Sequence, residues 1–249
     1  MVDSDDMVDS DDTVPVARGA GEPSARSLFA LLAPIYDRLV PLISRRARRM
    51  GVALLEVRDG ETVVDVGTGT GLALPRLAGA NPSGRTLGVD ATPAMLRRAR
   101  TRIRRRRLSS VDLRIADAAH LPFATGSIDA VFSSYVLDTM EASRRQRAIR
   151  EAARVLRPGG RLAVVSMARP STPGGAAWAA LARAAPPLLG RARPVRLLPR
   201  LTAEGLRAVS RVRVRQCGFP SEIVRARHPH PAAFPALSQS GVDHHSSVS

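Results

Sequence analysis

Three glycines at alternating positions follow a short apolar run in the stretch VVDVGTGTGLALP, residues 63–75. A strand that runs into a glycine turn and then into a helix exposes backbone N–H groups, and the missing side chains let a ligand approach them closely. The turn with Gly67, Gly69 and Gly71 therefore predicts close approach of a ligand, although a tight turn can also be purely structural. The dinucleotide fingerprint G-x-G-x-x-G needs a third glycine where this chain has Leu72, so the spacing argues against NAD.

Three aspartates, Asp65, Asp90 and Asp117, lie at or near the ends of successive β-branched runs. The carboxyl ends of parallel strands meet at one edge of an open α/β sheet, which is where such sheets bind ligands. Asp90 ends the second run about 20 residues after the glycine turn, a position from which a carboxylate accepts hydrogen bonds from both hydroxyls of a ribose. Each aspartate alone could cap a helix or lie in a solvated loop. Three in register predict a nucleoside site.

The elements that must position these residues form an alternation of short β-branched runs and helical patterns. This alternation predicts an α/β fold, doubly wound around a mostly parallel sheet with helices on both faces. The third strand alternates apolar and polar residues, which places it near an edge of the sheet. The run RVRVRQ, residues 211–216, fits the end of a helix but also alternates like a strand. The predicted strands cover 62–66, 85–90, 111–117, 128–134 and 161–166, and the predicted helices cover 26–56 in two pieces, 71–79, 93–107, 141–156, 175–188 and 203–216.

Length and composition bound the classes of function. With 249 residues, of which 44% are hydrophobic, the chain fits one folded domain with appendages. The single cysteine, Cys217, excludes an internal disulfide and a cysteine-cluster metal site, so no metal is expected. No window offers about 18 uninterrupted apolar residues and the N-terminus is acidic, so we expect a cytoplasmic protein. The acidic residues 1–26 and the proline-, serine- and histidine-rich residues 228–249 are predicted to be disordered tails around a domain at 27–227.

Charge is the unusual feature of the composition: the net charge is +16, and all 38 basic residues are arginine. Planar guanidinium groups favour phosphate, which leaves a lipid headgroup, a nucleic acid or an acidic protein open as a partner. The densest run, LRRARTRIRRRR at 96–107, suits the solvated end of a helix, where cations face the negative end of the dipole. A contact of this run with an anionic surface is the alternative. None of the aromatic residues lies in the run, so a nucleic acid is a poor candidate.

Taken in order, these motifs resemble those of class I S-adenosylmethionine-dependent methyltransferases, over about residues 28–168. The resemblance implies a Rossmann-like sheet of seven strands, the last of them antiparallel. EIVRAR at 222–227 would be the sixth strand, and the seventh would fall in AAFPAL at 232–237, which a proline interrupts. The resembling segments are VVDVGTGTG for the first motif, GVDATPAML for the second, ADAAHLPF for the adenine-proximal segment, GSIDAVFSSYVL for the fourth strand, and EAARVLRPGGRLAVV for the helix and glycine turn before the fifth strand.

The resemblance implies S-adenosylmethionine as the cofactor and assigns its contacts by position. The glycine turn would meet the methionine part, with Asp65 near the amino group, and Asp90 would hold the ribose. Ala91 and Thr92 would line the adenine pocket, and the two residues that begin with Asp117 would read the adenine edge. The implied cofactor-binding residues are Asp65, Gly67, Thr68, Gly69, Gly71, Asp90, Ala91, Asp117, Ala118 and Ser133.

The reaction that the resemblance implies needs little covalent help from the protein. The sulfonium is already an activated methyl donor, and an in-line attack needs mainly alignment and the exclusion of water; proximity can supply about 7–11 kcal/mol of such a barrier. A general base is needed only for a protonated acceptor. Asp138, His120 and Tyr135 lie near predicted strand ends and are candidates, but each also has an ordinary structural interpretation, so the catalytic residue stays unassigned.

Two segments point to the methyl acceptor. The N-terminal helices at 27–58, with Tyr36 and Asp37, resemble the lid of quinone-biosynthesis C-methyltransferases, and GTGLALP, YVL and RVLRPGG resemble bacterial phosphatidylethanolamine N-methyltransferases. Both resemblances imply a small or lipid-like acceptor, with a quinone precursor or a phospholipid amine as the leading choices. The insert at 170–200 joins an apolar helical piece to a basic one, which could cover the site and touch an anionic membrane at its periphery. Simple packing of the insert on the sheet is the alternative.

A rival function from another class remains open at this stage. The chain could be a basic protein that binds nucleic acid or a membrane surface, with a catalytically silent methyltransferase fold. Arsenite is disfavoured as an acceptor, because its methylation resembles a multi-cysteine chemistry and the sequence has only Cys217. The sequence leaves the oligomeric state open.

Overall fold

The computed structural model describes residues 44–168, 194–216 and 219–230. A short 3-10 turn, Leu137–Thr139, follows the fourth strand. The helices are α1 at 44–55, α2 at Leu74–Gly79, α3 at Pro93–Arg106, α4 at Ala142–Val155 and α5 at Leu197–Ala203; the strands are β1 at Thr62–Val66, β2 at Arg85–Asp90, β3 at Val111–Ile115, β4 at Ile128–Ser134, β5 at Leu156–Met167, β6 at Arg207–Gln216 and β7 at Phe219–Arg227.

These strands form one sheet in the order β3-β2-β1-β4-β5-β7-β6. Neighbours pair in parallel except at β7, which runs antiparallel to both β5 and β6. The predicted doubly wound, mostly parallel sheet of seven strands is therefore confirmed. The direction of winding reverses between β1 and β4. A crevice beyond the carboxyl ends of strands at such a reversal is the usual ligand site of an open α/β sheet.

Apolar clusters cover both faces of the central strands. Successive side chains of β1 point to opposite faces, so Val64 packs in a cluster with α4 and α5, while Val63 packs in a cluster with α1. Phe132 on β4 is fully buried in the second cluster. Coverage on both faces requires the near-continuous apolar runs that the sequence shows in these strands.

The C-terminal elements differ from the sequence-based assignment. Residues 207–216 form the strand β6, so the predicted helix over 203–216 is wrong. Val212 and Val214 pack in the same cluster as α1, while the intervening arginines face the opposite side of the sheet. Such period-two burial is that of a strand, and pairing with β7 decides between the two readings of this run.

The strand predicted at 222–227 lies within β7, which is the seventh strand of the described residues rather than the sixth. The predicted helix at 175–188 and the predicted strand at 232–237 lie outside the described residues. Strand β3 is confirmed at an edge of the sheet, where Ile115 is 67% exposed. β5 begins at Leu156, earlier than predicted, because Leu156 pairs with Ile128, the first residue of β4, before the register shifts and Arg161 pairs with Ala130.

A buried ion pair joins the end of α1 to the start of the sheet. Arg161 on β5 is 3% exposed and contacts the carboxylate of Glu61, which precedes β1. Its Nε also donates a hydrogen bond of 3.0 Å to the carbonyl of Leu55 in α1. The side chain of Glu61 accepts a further hydrogen bond of 2.9 Å from the backbone N–H of Arg58. The pair therefore holds α1, β1 and β5 together at one place.

The chain continues its pairing beyond β7. The backbone N–H of Gly159 donates to the carbonyl of His228 at 3.0 Å, and the N–H of His228 donates to the carbonyl of Gly160 at 2.9 Å. The paired part of the chain thus passes the predicted domain end at residue 227. None of the helices in the described ranges combines the length and the apolar character that crossing a bilayer requires.

Candidate functional site

The glycine turn follows β1 at the carboxyl edge of the sheet and is tied to the neighbouring strand. The backbone N–H groups of Gly67 and Thr68 both donate to the carbonyl of Val89 on β2, at 2.8 and 2.9 Å. Gly67, Gly69 and Gly71 have φ values of 68°, 56° and 75°. This left-handed region is unfavourable for residues with a Cβ atom, so the backbone path itself demands glycine at these positions.

The surroundings of the three glycines show that they serve different purposes. A Cβ atom on Gly67 would lie 2.2 Å from Cγ2 of Val136, and one on Gly71 would lie 3.1 Å from the Cβ of Ala99 on α3. These two glycines allow close packing within the protein. A Cβ atom on Gly69 would meet no atom of the described residues within 4 Å, so Gly69 faces open space in the part of the chain that the structure describes. The sequence predicts ligand contact at all three glycines. In the structure, Gly69 is the one of the three that a ligand can approach closely.

Asp65 supplies an unsatisfied carboxylate beside this turn. Its side chain is buried, and Oδ2 accepts a hydrogen bond of 2.6 Å from the hydroxyl of Thr68. Oδ1 has no hydrogen-bond partner among the described residues. Burial raises the pKa of Asp65 to about 7, assisted by the charge of Asp90 and opposed by the Thr68 hydroxyl and by Arg48. A ligand group that donates hydrogen bonds and carries positive charge fits this oxygen.

Asp90 closes β2 directly opposite the open glycine. Its Oδ2 accepts a hydrogen bond of 2.8 Å from the backbone N–H of Gly69, and its Oδ1 accepts one of 2.9 Å from the N–H of Thr92. Burial raises the pKa of Asp90, although these two N–H groups oppose the shift. The side chain of Thr92 also hydrogen-bonds to this carboxylate, which still leaves it capacity to accept from a ligand hydroxyl. Ala91 and Thr92 follow at once and are half-buried.

Asp117 lies after β3 and is already engaged. The backbone N–H of Ala119 donates to its Oδ1 at 3.0 Å, and the guanidinium of Arg144 on α4 donates to its Oδ2 at 2.7 Å. Burial acts to raise the pKa of Asp117, but these partners outweigh it and lower the value. The side chain of Ala118 is buried in the core, and its predicted contact with the cofactor stays a prediction. A hydrogen bond of 3.1 Å from the Ala116 N–H to the Asp90 carbonyl links this segment to β2.

Ser133 joins the two central strands. It is 5% exposed, and its hydroxyl donates a hydrogen bond of 3.1 Å to the carbonyl of Val66. The side chain therefore already has an acceptor within the protein. Its predicted contact with the cofactor stays a prediction.

The three candidate bases occupy different environments. Asp138 lies in the 3-10 turn, is 1% exposed, and accepts a hydrogen bond of 3.0 Å from the Met167 N–H; burial raises its pKa to about 8. His120 is exposed beside the segment of Asp117. Tyr135 has a φ of 59°, and its hydroxyl lies 2.8 Å from the Ser221 hydroxyl.

Arg48 is a residue of this site that the sequence analysis missed. Its guanidinium carbon lies 5.9 Å from the ring centroid of Tyr135, and its Nε donates to the Ser134 hydroxyl at 3.5 Å. Although charged, Arg48 is only 7% exposed. The signal was present, because the buried residues of α1 recur at the three- and four-residue spacing of a helix face and Arg48 falls on that face.

The arrangement can bind a cationic nucleoside. Among the described residues, Asp65, Thr68, Gly69 and Asp90 form one hydrogen-bonded set around open space. A diol and an ammonium group on one ligand would satisfy the free lone pairs of the two carboxylates. No three His, Cys, Asp or Glu side chains in the described part of the chain cluster as ligands of a metal ion.

Comparisons with known proteins agree with this geometry. A family profile described as a methyltransferase domain matches residues 64–164. The chain is 32% identical over 166 residues to the arsenite methyltransferase of Halobacterium salinarum, a match that covers 65% of this chain and 34% of that protein. It is also 32% identical over 154 residues to the ubiquinone/menaquinone biosynthesis C-methyltransferase UbiE of Geobacter sp., covering 59% of this chain and 65% of that protein. The chain thus spans less than two thirds of the length of these curated relatives.

Among solved structures, a SAM-dependent methyltransferase from Aquifex aeolicus has a TM-score of 0.60 against this chain. The sequences are 19% identical, and the match covers 83% of this chain and all of the other. A likeness at this identity supports the fold of the molecule.

Proposed function

Because the chain contains a class I S-adenosylmethionine-dependent methyltransferase domain, we propose that it transfers the methyl group of S-adenosylmethionine to a small or lipid-like acceptor. The observation that carries the proposal is the open space at Gly69, flanked by the carboxylates of Asp65 and Asp90. A side chain at Gly69 would occupy the open space beside the carboxylate of Asp90.

The residues present fit this cofactor. Asp90 would accept hydrogen bonds from the ribose hydroxyls while the Gly69 N–H holds its carboxylate in place. Oδ1 of Asp65, which has no partner among the described residues, would accept from the ammonium of the methionine part. Ala91, Thr92 and the Asp117 segment would line the space for the adenine.

When bound, the cofactor supplies an activated methyl group, so the protein has to align the acceptor and exclude water. Among the candidate bases, Asp138 is buried and has a raised pKa, which suits a group that exchanges a proton near neutral pH. His120 is exposed on the adenine side, and the Tyr135 hydroxyl already pairs with Ser221. Asp138 is therefore the best supported of the three.

The acceptor is proposed at the level of its class. The relative from Geobacter is named for quinone biosynthesis, which supports a quinone precursor. The resemblance of the turn and β4 segments to phosphatidylethanolamine N-methyltransferases supports a phospholipid amine. Arsenite does not suit this chain, whose single cysteine cannot provide several soft thiolate ligands.

The test measures binding and transfer separately. Calorimetry should show that the protein binds S-adenosylmethionine and not NAD. Asp90→Ala should weaken this binding about tenfold to 100-fold, since hydrogen bonds to a charged group contribute about 1.5–3 kcal/mol. Asp112→Ala on the edge strand β3, which removes an exposed carboxylate, is the matched control. Unchanged affinity in a folded Asp90→Ala protein would contradict the assignment.

The methyl acceptor is found by incubating the protein with cofactor labelled in its methyl group and with cell extract, and then separating lipid, small-molecule, RNA and protein fractions. Label in the lipid or small-molecule fraction is expected. Label in RNA or protein would overturn the proposed acceptor class and leave the cofactor assignment intact.

A basic patch favours a second candidate function, binding to an anionic surface. Burial lowers the pKa of Arg76 on α2, and the nearby guanidinium groups of Arg49, Arg45 and Arg106 lower it further. These arginines therefore lie close together on the face formed by α1, α2 and α3. Salt-titrated binding to RNA and to vesicles containing phosphatidylglycerol would reveal this function. If surface binding is the protein's function in place of methyl transfer, no extract fraction will become labelled.

A further inference from the structure

A cleft of about 390 Å³ opens between α5 and the strands β6 and β7, on the sheet face that carries α4. Val195, Leu197, Leu198 and Pro199 form an apolar wall, and Ala168 bounds the cleft at the end of β5. A volume of this size is at the lower end of the range for small-molecule sites. The cleft can therefore hold one small ligand or part of a larger one.

The other side of the cleft is strongly basic. Arg211 and Arg213 reach it from alternate positions of β6, and Arg196 reaches it from the start of α5. Glu222, the one carboxylate among the described residues of the lining, is buried and lies 2.6 Å from the guanidinium of Arg211 and 3.8 Å from that of Arg213. Among these described residues, three guanidinium groups against one carboxylate leave two positive charges. Arg211 and Arg213 are about half exposed, so their remaining N–H groups can reach a ligand.

The cleft lies at the same edge of the sheet as the proposed cofactor site. Ala168 follows the carboxyl end of β5, and the preceding Met167 donates its N–H to Asp138. In the same turn, Val136 packs directly against Gly67. A continuous stretch of packed residues thus joins the glycine turn to the cleft. The second carboxylate oxygen of Asp138, Oδ1, is buried without a partner among the described residues.

We propose that this cleft binds the anionic group of the methyl acceptor, a carboxylate or a phosphate carried on an apolar body. The inference rests on the proposed methyltransferase function and narrows its acceptor class. The guanidinium forks of Arg196, Arg211 and Arg213 match the oxygens of either anion, and the wall formed by Val195 to Pro199 covers the apolar part. Glu222 holds Arg211 in position and limits the affinity, since its charge repels the anion.

The experiment uses the full chain, saturated with S-adenosylhomocysteine, and three probes of equal length titrated by calorimetry: decyl phosphate, decanoate and 1-decanol. Both anions should bind at least about tenfold more tightly than the alcohol, since a charge-assisted hydrogen bond adds about 1.5–3 kcal/mol. Inorganic phosphate should bind more weakly than decyl phosphate, because it lacks the apolar body. The tighter of the two anions identifies a phosphate or a carboxylate as the native group.

Variants assign the binding to the cleft. Arg196→Met and Arg213→Met should each weaken decyl phosphate binding about threefold to tenfold, in keeping with the loss of a half-solvated charge contact. Glu222→Gln should strengthen binding by removing the repelling charge. Arg105→Met, on the exposed face of α3, removes the same charge far from the cleft and should change nothing. Thermal unfolding checks that each variant is folded.

Equal binding of the anions and the alcohol, or an equal effect of Arg105→Met, would overturn the inference. The affinity for S-adenosylmethionine, measured in the same variants, should stay unchanged. If the cofactor fails to bind the wild-type protein while decyl phosphate still depends on Arg196 and Arg213, the proposed function falls and the anion site stands. If the cofactor binds and the anion preference is absent, only the cleft inference fails.

Discussion

At the scale of single residues, the site depends on which atoms are left without a partner. Among the described residues, one buried carboxylate oxygen of Asp65 has no hydrogen-bond partner and no atom lies close to Gly69, whereas Val136 packs against Gly67 and Ala99 against Gly71. The sequence identified all four positions. It could not distinguish them, because their roles depend on Val136 and Ala99, which lie far along the chain.

Gly69→Ala tests two roles of this glycine: its left-handed backbone conformation, which affects stability, and the open space beside it, which affects cofactor binding. The left-handed φ makes the substitution destabilising by about 1–2 kcal/mol, and the new methyl group should weaken cofactor binding at least about tenfold. Gly205→Ala, at a φ of 77° and also with open space around it, is the control and should cost similar stability without affecting cofactor affinity. Urea unfolding and calorimetry measure the two quantities. Equal cofactor affinity in the two variants would contradict the assignment of Gly69 to the cofactor site.

The raised pKa of Asp65 predicts a pH dependence of stability. The folded pKa of about 7 exceeds the ordinary value of 3.8, so the folded state binds this proton more tightly than the unfolded state. The stabilisation is complete below about pH 4 and is lost as the pH rises through 7, by about 2–4 kcal/mol. Asp65→Asn should flatten this part of the curve of unfolding free energy against pH. Asp112→Asn, at an exposed site, should leave the curve unchanged.

The same carboxylate should make cofactor binding depend on pH. An ammonium ligand favours the ionised form of Asp65, so S-adenosylmethionine should bind more weakly below about pH 7, where the proton has to be displaced. Asp65→Asn should bind with lower affinity at about pH 8 and with a flatter pH profile. An identical slope in wild type and variant would show that another group is responsible.

At the scale of elements, buried contacts between distant segments hold the site in place. Arg48 brings α1 against the residues after β4, and Arg161 with Glu61 ties α1 to β1 and β5. The element assignment succeeded where one periodicity dominates, as in β1, β2 and β4. It failed at 207–216, where a short alternating run suits either element and β7 decides the outcome.

Arg161→Met tests how far the buried pair supports this arrangement. Removing one partner leaves the carboxylate of Glu61 buried and unpaired, which should destabilise the protein by about 3–5 kcal/mol. Arg85→Met breaks the exposed pair with Asp112, at 3.5 Å, and should cost at most about 1 kcal/mol. Urea unfolding of both variants gives the comparison. Similar losses would show that burial does not set the strength of the Arg161 pair.

At the scale of the whole molecule, the chain combines a strongly positive net charge with a local group of carboxylates. The net charge of +16 includes the patch around Arg76, while Asp65 and Asp90 concentrate negative charge where the proposed ligand is cationic. The boundaries of the domain also belong to this scale, because pairing of His228 with β5 extends the fold past the predicted end.

Trimming the chain tests those boundaries. A protein of residues 27–230 should keep the melting temperature and the cofactor affinity of the full chain, since it keeps the predicted domain and the contacts of His228. A protein of residues 27–227 should melt lower by a few degrees, because loss of two backbone hydrogen bonds costs about 1–3 kcal/mol. Thermal unfolding and calorimetry check both. Loss of cofactor binding in the longer protein would place part of the site in the removed segments.

The sequence by itself determined the fold class, the positions of the central strands along the chain and the residues at their carboxyl ends. These features depend on hydrophobic periodicity and turn residues, which are properties of residues close together in the sequence. Tertiary structure alone decided that β6 is a strand, that Gly69 rather than Gly67 faces open space, and that Glu222 is buried beside Arg211. These outcomes depend on strand register and on packing between segments far apart in the sequence, which a local pattern does not encode.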